Sequence, residues 1–174
     1  MLTPNVYAAR DFAVKRHEGQ RRKHGLDYVF HPEDVAGLLA FRYGVENEDV
    51  LIAALLHDVI EESGVGADEL GERFGPAVAD MVVVLSRTKS RPYGEYAKQL
   101  GEQKAPVLLI KGADMVSNLR DSAFADEETR RSVARHAREC ILPLLRDRHG
   151  NDHLLVRDLE LLTETVERLC ASGT

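Results

Sequence analysis

The sequence predicts an all-α protein built as a single domain over residues 1–174. Apolar residues recur at helical spacing along almost the whole chain, and no alternating apolar and polar run is long enough to indicate a strand. Proline, glycine and capping residues divide this pattern into helices of ordinary length. With 44% hydrophobic residues, a chain of 174 residues has enough apolar surface to form one core.

The ends of the first three helices are marked in the sequence. Thr3 is positioned to cap a helix with a proline in its first turn, and the glycine-containing segment GQRRKHGLDY ends that helix. His31 is predicted to cap a second helix, again followed by proline, and Gly44 ends it. The third helix, over about residues 48–63, is apolar nearly all round, which predicts a central position in the fold.

Helix signals continue to the C-terminal end. A short helix ends near Gly75, and another runs from about Pro76 to Leu85. The polar stretch SRTKSRPYGEYAKQL contains one more short helix. Longer buried or amphipathic helices follow at about 104–120, 126–147 and 151–171. The leucines of the last helix are expected to be core or dimer contacts, so a homodimer through amphipathic helices is one expected assembly.

Composition and charge exclude several classes of protein. No stretch of about 18 uninterrupted apolar residues is present, so no membrane span is predicted. The first residues lack the apolar core of a secretory signal. Two isolated cysteines favour a reduced, cytoplasmic setting over a disulfide framework. A formal net charge of −6 argues against a general nucleic-acid binder.

A basic cluster interrupts this acidic chain at residues 15–24. Its members are Lys15, Arg16, Arg21, Arg22 and Lys23. The cluster is either the solvated end of a helix followed by a loop or a binding surface for a small polyanion.

Four residues that can bind a metal lie in or beside apolar, helix-like stretches. They are His31, His57, Asp58 and Asp114. An imidazole or carboxylate is costly to bury unless something pairs with it, although a single buried histidine is more often a hydrogen-bonded core residue than a ligand. Adjacent His57 and Asp58 are harder to explain as core residues. Mixed nitrogen and oxygen donors suit Mn²⁺, Fe²⁺ or Zn²⁺, and a metal with open positions activates water for hydrolysis.

Helical spacing attaches further polar residues to this set. Glu61 and Glu62 follow His57 and Asp58 by one turn, and Asn118 follows Asp114 by one turn. The alternative for the glutamate pair is the solvated end of a helix, where negative charge opposes the helix dipole. The other histidines lie in polar contexts and are expected at the surface: His17, His24, His136, His149 and His153.

Three segments of the sequence resemble the HD-domain metal-dependent phosphohydrolases. They are AARDFAVKRHEGQRRKHGLDYVFHPEDVAGLL, LIAALLHDVIEESGVGADELGERFGPAVADMV and VLLIKGADMVSNLRD, within about residues 8–121. The chain looks most like single-domain relatives of the hydrolase half of RelA/SpoT-type alarmone enzymes. The resemblance implies a helical bundle with a metal site between central helices, completed by C-terminal helices at about 126–171.

The resemblance also implies roles for individual residues. His31, His57, Asp58 and Asp114 match the metal ligands, and Glu61 and Glu62 match the acidic pair that activates water. Arg22, Lys23 and Asn118 match residues near the substrate phosphates and nucleotide. The family's acidic pair is usually Glu-Asp, so the longer Glu62 is a departure that can alter rate or substrate.

The implied reaction removes the 3′-pyrophosphate of guanosine tetra- or pentaphosphate with Mn²⁺, giving GDP or GTP and pyrophosphate. A second hypothesis is an HD phosphohydrolase acting on another small nucleotide, such as a 2′- or 3′-phosphorylated nucleotide or NADPH. A third is a degenerate domain that only binds a nucleotide or partner. A complete ligand set and an acidic pair argue against the third hypothesis.

Overall fold

The computed structural model describes residues 3–22, 25–87 and 90–172, and in these ranges it confirms the all-α prediction. The only β-type pairing among them is an isolated antiparallel bridge between Arg21 and Asp27. The chain divides into two compact units, Met1–Arg91 and Pro92–Thr174. The sequence-based expectation of a single domain stays a prediction.

The first unit is organised around one apolar helix. Its helices are α1 (Pro4–Arg16), α2 (Phe30–Gly37), α3 (Glu48–Leu56), α4 (Val59–Ser63), α5 (Ala67–Phe74) and α6 (Pro76–Leu85), with a π-helical turn at Leu38–Arg42 after α2. Helix α3 packs against α1, α2 and α6, and every residue from Val50 to Leu56 is buried. The prediction that this helix lies at the centre is confirmed for its unit.

Side-chain caps fix where two of these helices begin. The Thr3 hydroxyl accepts a hydrogen bond from the Val6 amide at 3.3 Å, as the sequence predicted. The Asn47 side chain accepts from the Val50 amide at 3.2 Å and so caps α3. Both bonds satisfy amides that the first turn of a helix leaves without a backbone acceptor.

Two expectations about the first unit were wrong. Helix α2 begins at Phe30, so His31 lies inside its first turn rather than at the cap. The predicted helix over 48–63 stops at Leu56 and restarts at Val59. The His57 ring nitrogen Nδ1 bonds to the Ala54 carbonyl at 2.7 Å, and this is the carbonyl that a continuing helix would pair with the amide of residue 58. The break therefore coincides with the predicted ligands.

The second unit is organised around α8. Its helices are α7 (Tyr93–Gly101), α8 (Ala105–Ser122), α9 (Glu127–His136), α10 (Leu142–His149) and α11 (Leu154–Ser172). Helix α8 packs against α9, α10 and α11. A Cβ atom on Gly112 would lie 2.8 Å from Leu155 Cδ2 and 2.9 Å from Leu145 Cδ1. Glycine at this position therefore allows the close approach of these helices.

The C-terminal boundaries differ from the sequence-based ones. The helix predicted over 126–147 is interrupted by a π-helical turn at Ala137–Ile141. Pro143 follows at once, and because proline has no amide hydrogen it cannot continue the regular bonding pattern. Helix α11 begins at Leu154, three residues later than predicted. Across the three ranges above, no helix is both long enough and apolar enough to cross a membrane.

Candidate metal centre

Three of the predicted metal ligands meet in the first unit. His31 is on α2, whereas His57 and Asp58 form the break between α3 and α4. Asp58 Oδ2 lies 3.3 Å from His57 Nε2 and 3.6 Å from His31 Nε2. The two imidazole rings are buried, with centroids 5.1 Å apart. Two ring nitrogens and one carboxylate oxygen thus converge on one point.

The proton on His57 is placed by its hydrogen bond. Its Nδ1 lies 2.7 Å from the Ala54 carbonyl oxygen, which can only accept. Nδ1 therefore carries the hydrogen, which in the neutral ring leaves the lone pair on Nε2, the nitrogen that faces Asp58. Metal-binding histidines are commonly oriented by this kind of bond to a backbone carbonyl. The chemistry of this donor set fits a divalent cation.

Asp114, the fourth predicted ligand, is buried on α8 in the second unit. Its Oδ1 accepts a hydrogen bond from Asn118 Nδ2 and its Oδ2 accepts one from Lys111 Nζ, both at 2.6 Å. The prediction that Asn118 lies beside Asp114, one turn further along the helix, is confirmed. Lys111 was missed, although it lies one turn before Asp114 on the same helix face.

The environment of Lys111 keeps it charged. Burial is the largest single influence and lowers its pKa, but Asp114, Tyr96 and Tyr93 together outweigh burial and hold the pKa well above the ordinary value. The ammonium also lies 5.4 Å from the centre of the Tyr96 ring. Nearby Tyr93 stacks on His136 with ring centroids 3.9 Å apart, and burial raises the Tyr93 pKa to about 12. His136 is therefore a packed residue rather than the surface residue expected.

The acidic pair lies on α4 and is half-buried. Glu61 Oε2 accepts a hydrogen bond from the Arg87 amide at 3.1 Å, and burial raises the Glu61 pKa. The backbone carbonyl of Glu62 accepts a hydrogen bond from Gln20 Nε2 at 2.8 Å. These contacts argue against a merely solvated helix end. No pattern in the sequence pointed to Arg87, which lies 26 residues away from Glu61.

The basic cluster separates into residues with different surroundings. Arg16 pairs with Glu69 at 2.6 Å, and Arg21 bonds locally to the Gly25 carbonyl at 2.8 Å. Arg22 is half-buried, and its guanidinium carbon lies 5.6 Å from the centre of the Tyr28 ring. Lys23, and His24 beside it, lie outside the described residues.

His17 was expected at the surface, and this expectation was wrong. Its exposure is 2%, its Nδ1 lies 2.8 Å from Gln20 Oε1, and its ring stacks on Tyr28 with centroids 4.9 Å apart. Burial lowers the pKa of His17, which favours the neutral ring. Its position four residues after buried Ala13 was a usable signal. His149 and His153 are half-buried.

Tyr28 is a further residue whose role sequence reasoning missed. Its hydroxyl donates to Asp58 Oδ2 at 2.8 Å. Burial and the neighbouring carboxylate raise the Tyr28 pKa well above its usual value, so the phenol keeps its proton. The carboxylate oxygen that faces the two histidines therefore also has a fixed hydrogen-bond donor.

In the first unit, buried His31 and His57 and the neighbouring Asp58 supply donor atoms that can hold a metal ion. Their donors are imidazole nitrogen and carboxylate oxygen, which suit divalent first-row metals. The donor set, with the fixed orientation of His57, indicates a divalent metal.

Two curated relatives of this chain share one enzyme name. The chain is 39% identical over 120 residues to the human guanosine-3′,5′-bis(diphosphate) 3′-pyrophosphohydrolase MESH1, covering 65% of this chain and 66% of the relative. It is 35% identical over 146 residues to the guanosine-3′,5′-bis(diphosphate) 3′-pyrophosphohydrolase of Aquifex aeolicus, covering 80% of this chain. The matched region is 21% of that bacterial relative's length.

A solved structure is similar over nearly the whole chain. It is a metazoan ortholog of SpoT, described as hydrolyzing ppGpp, with a TM-score of 0.79, 27% sequence identity and 96% of each chain covered. The HD domain family matches residues 9–151, which is most of the chain and includes all four predicted metal ligands. The chain belongs to the HD-domain family.

Proposed function

We propose that this protein is a divalent-metal-dependent hydrolase that removes the 3′-pyrophosphate from guanosine tetra- or pentaphosphate. The products are GDP or GTP and pyrophosphate. The observation that carries the proposal is the convergence of His31 Nε2 and His57 Nε2 on Asp58 Oδ2, with His57 fixed by the Ala54 carbonyl. Relatives bearing this enzyme name support the substrate.

The proposed metal ligands are His31, His57, Asp58 and Asp114. We also propose that residues 1–174 form one HD-type domain. Mn²⁺ is our choice of metal, because mixed imidazole and carboxylate donors suit it. When bound, such a metal supplies Lewis acidity and lowers the pKa of water.

The acidic pair, Glu61 and Glu62, would transfer the proton that the attacking water loses. The oxygen of a water molecule would bond to the phosphorus that is attached to the ribose 3′ oxygen. The bond between this phosphorus and the 3′ oxygen would break, and the 3′ oxygen would take up a proton as it leaves. Glu61 and Glu62 would take and relay the proton that the attacking water loses. The raised pKa of Glu61 brings this carboxylate closer to the range in which a general base works at neutral pH. The Arg87 amide fixes one of its oxygens.

Positive charge would bind the phosphates. Arg22 is half-buried beside Tyr28, and Lys23 follows it in the sequence. Guanidinium groups bind phosphate oxygens through charged hydrogen bonds and offset charge that builds up during the reaction. We propose that Asn118 contacts the nucleotide in addition to its bond to Asp114.

The test offers the purified full chain with Mn²⁺ both alarmones beside NADPH and 2′- and 3′-phosphorylated nucleotides. We expect pyrophosphate and GDP or GTP from the alarmones, with release abolished in His57→Ala and Glu62→Ala. Arg22→Ala should raise KM, whereas the matched variant Arg21→Ala should leave KM unchanged, because Arg21 is exposed and bonds within its own loop. If only the other nucleotides are cleaved, the proposed alarmone substrate is wrong and the protein is a hydrolase of another small nucleotide. If the protein binds metal but cleaves none of these substrates, the domain only binds a nucleotide or a partner.

We also propose a reducing, cytoplasmic setting, supported by Cys140 and Cys170 both being free thiols. The expected homodimer stays a proposal, and it is supported by exposed Leu161 and Leu169 on α11. Light scattering on the eluting protein would measure the assembly.

A further inference from the structure

Tyr28 contacts the metal-ligand cluster of the first unit, which consists of His31, His57 and Asp58, at the Oδ2 atom of Asp58. Its hydroxyl donates to Asp58 Oδ2 at 2.8 Å. The same oxygen lies 3.3 Å from His57 Nε2 and 3.6 Å from His31 Nε2. The tyrosine therefore bonds to the oxygen of Asp58 that faces both imidazoles.

The Tyr28 ring is itself held in place. His17 stacks on it with ring planes 29° apart, and the Tyr28 and His31 rings meet edge to face with centroids 6.1 Å apart. The side chain of Gln20 bonds to His17 Nδ1, and the backbone carbonyl of Gln20 accepts the Tyr28 amide at 3.0 Å. Ring and backbone of Tyr28 are thus fixed by the same short segment, so the hydroxyl has little freedom to leave Asp58.

A carboxylate on a short side chain can rotate and present either oxygen to a cation. A hydrogen bond from a fixed donor selects one rotation, and residues that orient metal ligands in this way commonly affect metal affinity or activity. We propose that Tyr28 is a positioning residue that acts through Asp58, fixing Oδ2 toward the cation shared with His31 and His57. This inference rests on the metal-dependent function proposed above.

The contact with Arg22 gives the same tyrosine a second neighbour of functional interest. The guanidinium carbon lies 5.6 Å from the ring centre, within the range of a cation–π contact. The Tyr28 hydroxyl thus contacts the proposed metal ligand Asp58, and the Tyr28 ring contacts the proposed phosphate-binding residue Arg22. Removing the hydroxyl alone separates these two roles, because phenylalanine keeps the ring.

The test is Tyr28→Phe in the full chain, with Mn²⁺ as the probe. We expect the Kd for Mn²⁺, measured by competition with a chelator, to rise about 10-fold. The kcat for the alarmone should fall while KM stays near the wild-type value, because the ring still supports Arg22. Tyr7→Phe is the matched control on the exposed face of α1, where the same substitution should change none of these quantities.

A purely structural role predicts a different pattern. In that case Tyr28→Phe lowers the melting temperature equally with and without Mn²⁺ and leaves the Kd unchanged, which would overturn the proposal. Equal or tighter Mn²⁺ binding by Tyr28→Phe would also overturn it. If the wild-type protein binds Mn²⁺ but hydrolyses no alarmone, the proposed substrate fails while the Kd comparison still decides the role of Tyr28. Absence of Mn²⁺ binding in the wild-type protein would overturn both.

Discussion

The two aspartates proposed as metal ligands are held by different kinds of structure. In the first unit, Asp58 lies in a break between helices and is contacted by its neighbour His57 and by Tyr28 and His31, which come from a segment about 30 residues earlier in the chain. In the second unit, Asp114 lies within an unbroken helix, and Lys111 and Asn118 of that same helix donate hydrogen bonds to its two oxygens.

This difference shows that helical spacing predicts which side chains are neighbours only where the helix is unbroken. On α8 the spacing placed Asn118 correctly beside Asp114, because an unbroken helix brings residues four apart together. At His57 the same reasoning assumed a helix that the structure interrupts. The contacts of Asp58 depend instead on the loop that carries Tyr28, which no local spacing describes.

The largest effect should come from the helix break. His57→Ala removes the imidazole whose Nε2 faces Asp58, so bound Mn²⁺ should be lost. Alarmone hydrolysis should fall by more than about 100-fold, because removing a metal ligand lowers activity more than removing a residue that only orients a ligand. Metal content by elemental analysis and initial rates would measure this. His153→Ala is the matched control in the second unit. Full metal content in His57→Ala would show that the break is not a ligand site.

A second effect tests the helix-held aspartate. Lys111→Met should lower the free energy of unfolding by about 3 kcal/mol, because it removes the ammonium group that pairs with the buried Asp114 carboxylate. Asn118→Ala removes a single hydrogen bond and should cost less, about 1–2 kcal/mol. Urea unfolding in the presence of a chelator would rank the two. Equal stability of wild-type and Lys111→Met would mean that Lys111 does not hold Asp114.

The smallest effect compares two histidines, one in each unit. Burial lowers the pKa of both His17 and His149 below the ordinary value of 6.5, so the unfolded chain takes up protons before the folded chain does. Stability should therefore be full above pH 6.5 and fall as the pH drops below it. His17→Gln should flatten this dependence more than His149→Gln, because His17 is only 2% exposed and His149 is half-buried. A steeper loss in His17→Gln would contradict the prediction.

Much of the fold followed from the sequence because its signals are local. Thr3 caps α1 as predicted, the apolar helix α3 is central in its unit, and α6 has the predicted bounds. The boundaries that were missed depend on single backbone bonds. His57 occupies the Ala54 carbonyl and ends α3, and Pro143 follows a π-helical turn that divides the predicted C-terminal helix.

By itself, the sequence determined the helical class, the candidate ligands and the pairing of Asp114 with Asn118, because residue type and helical periodicity decide each of these. Tertiary structure alone decided that Tyr28 bonds to Asp58, that His17 is buried beneath it and that the Arg87 amide reaches Glu61. These contacts join residues 11 to 30 positions apart or belong to a loop, and a repeat of 3.6 residues carries no information about such pairs.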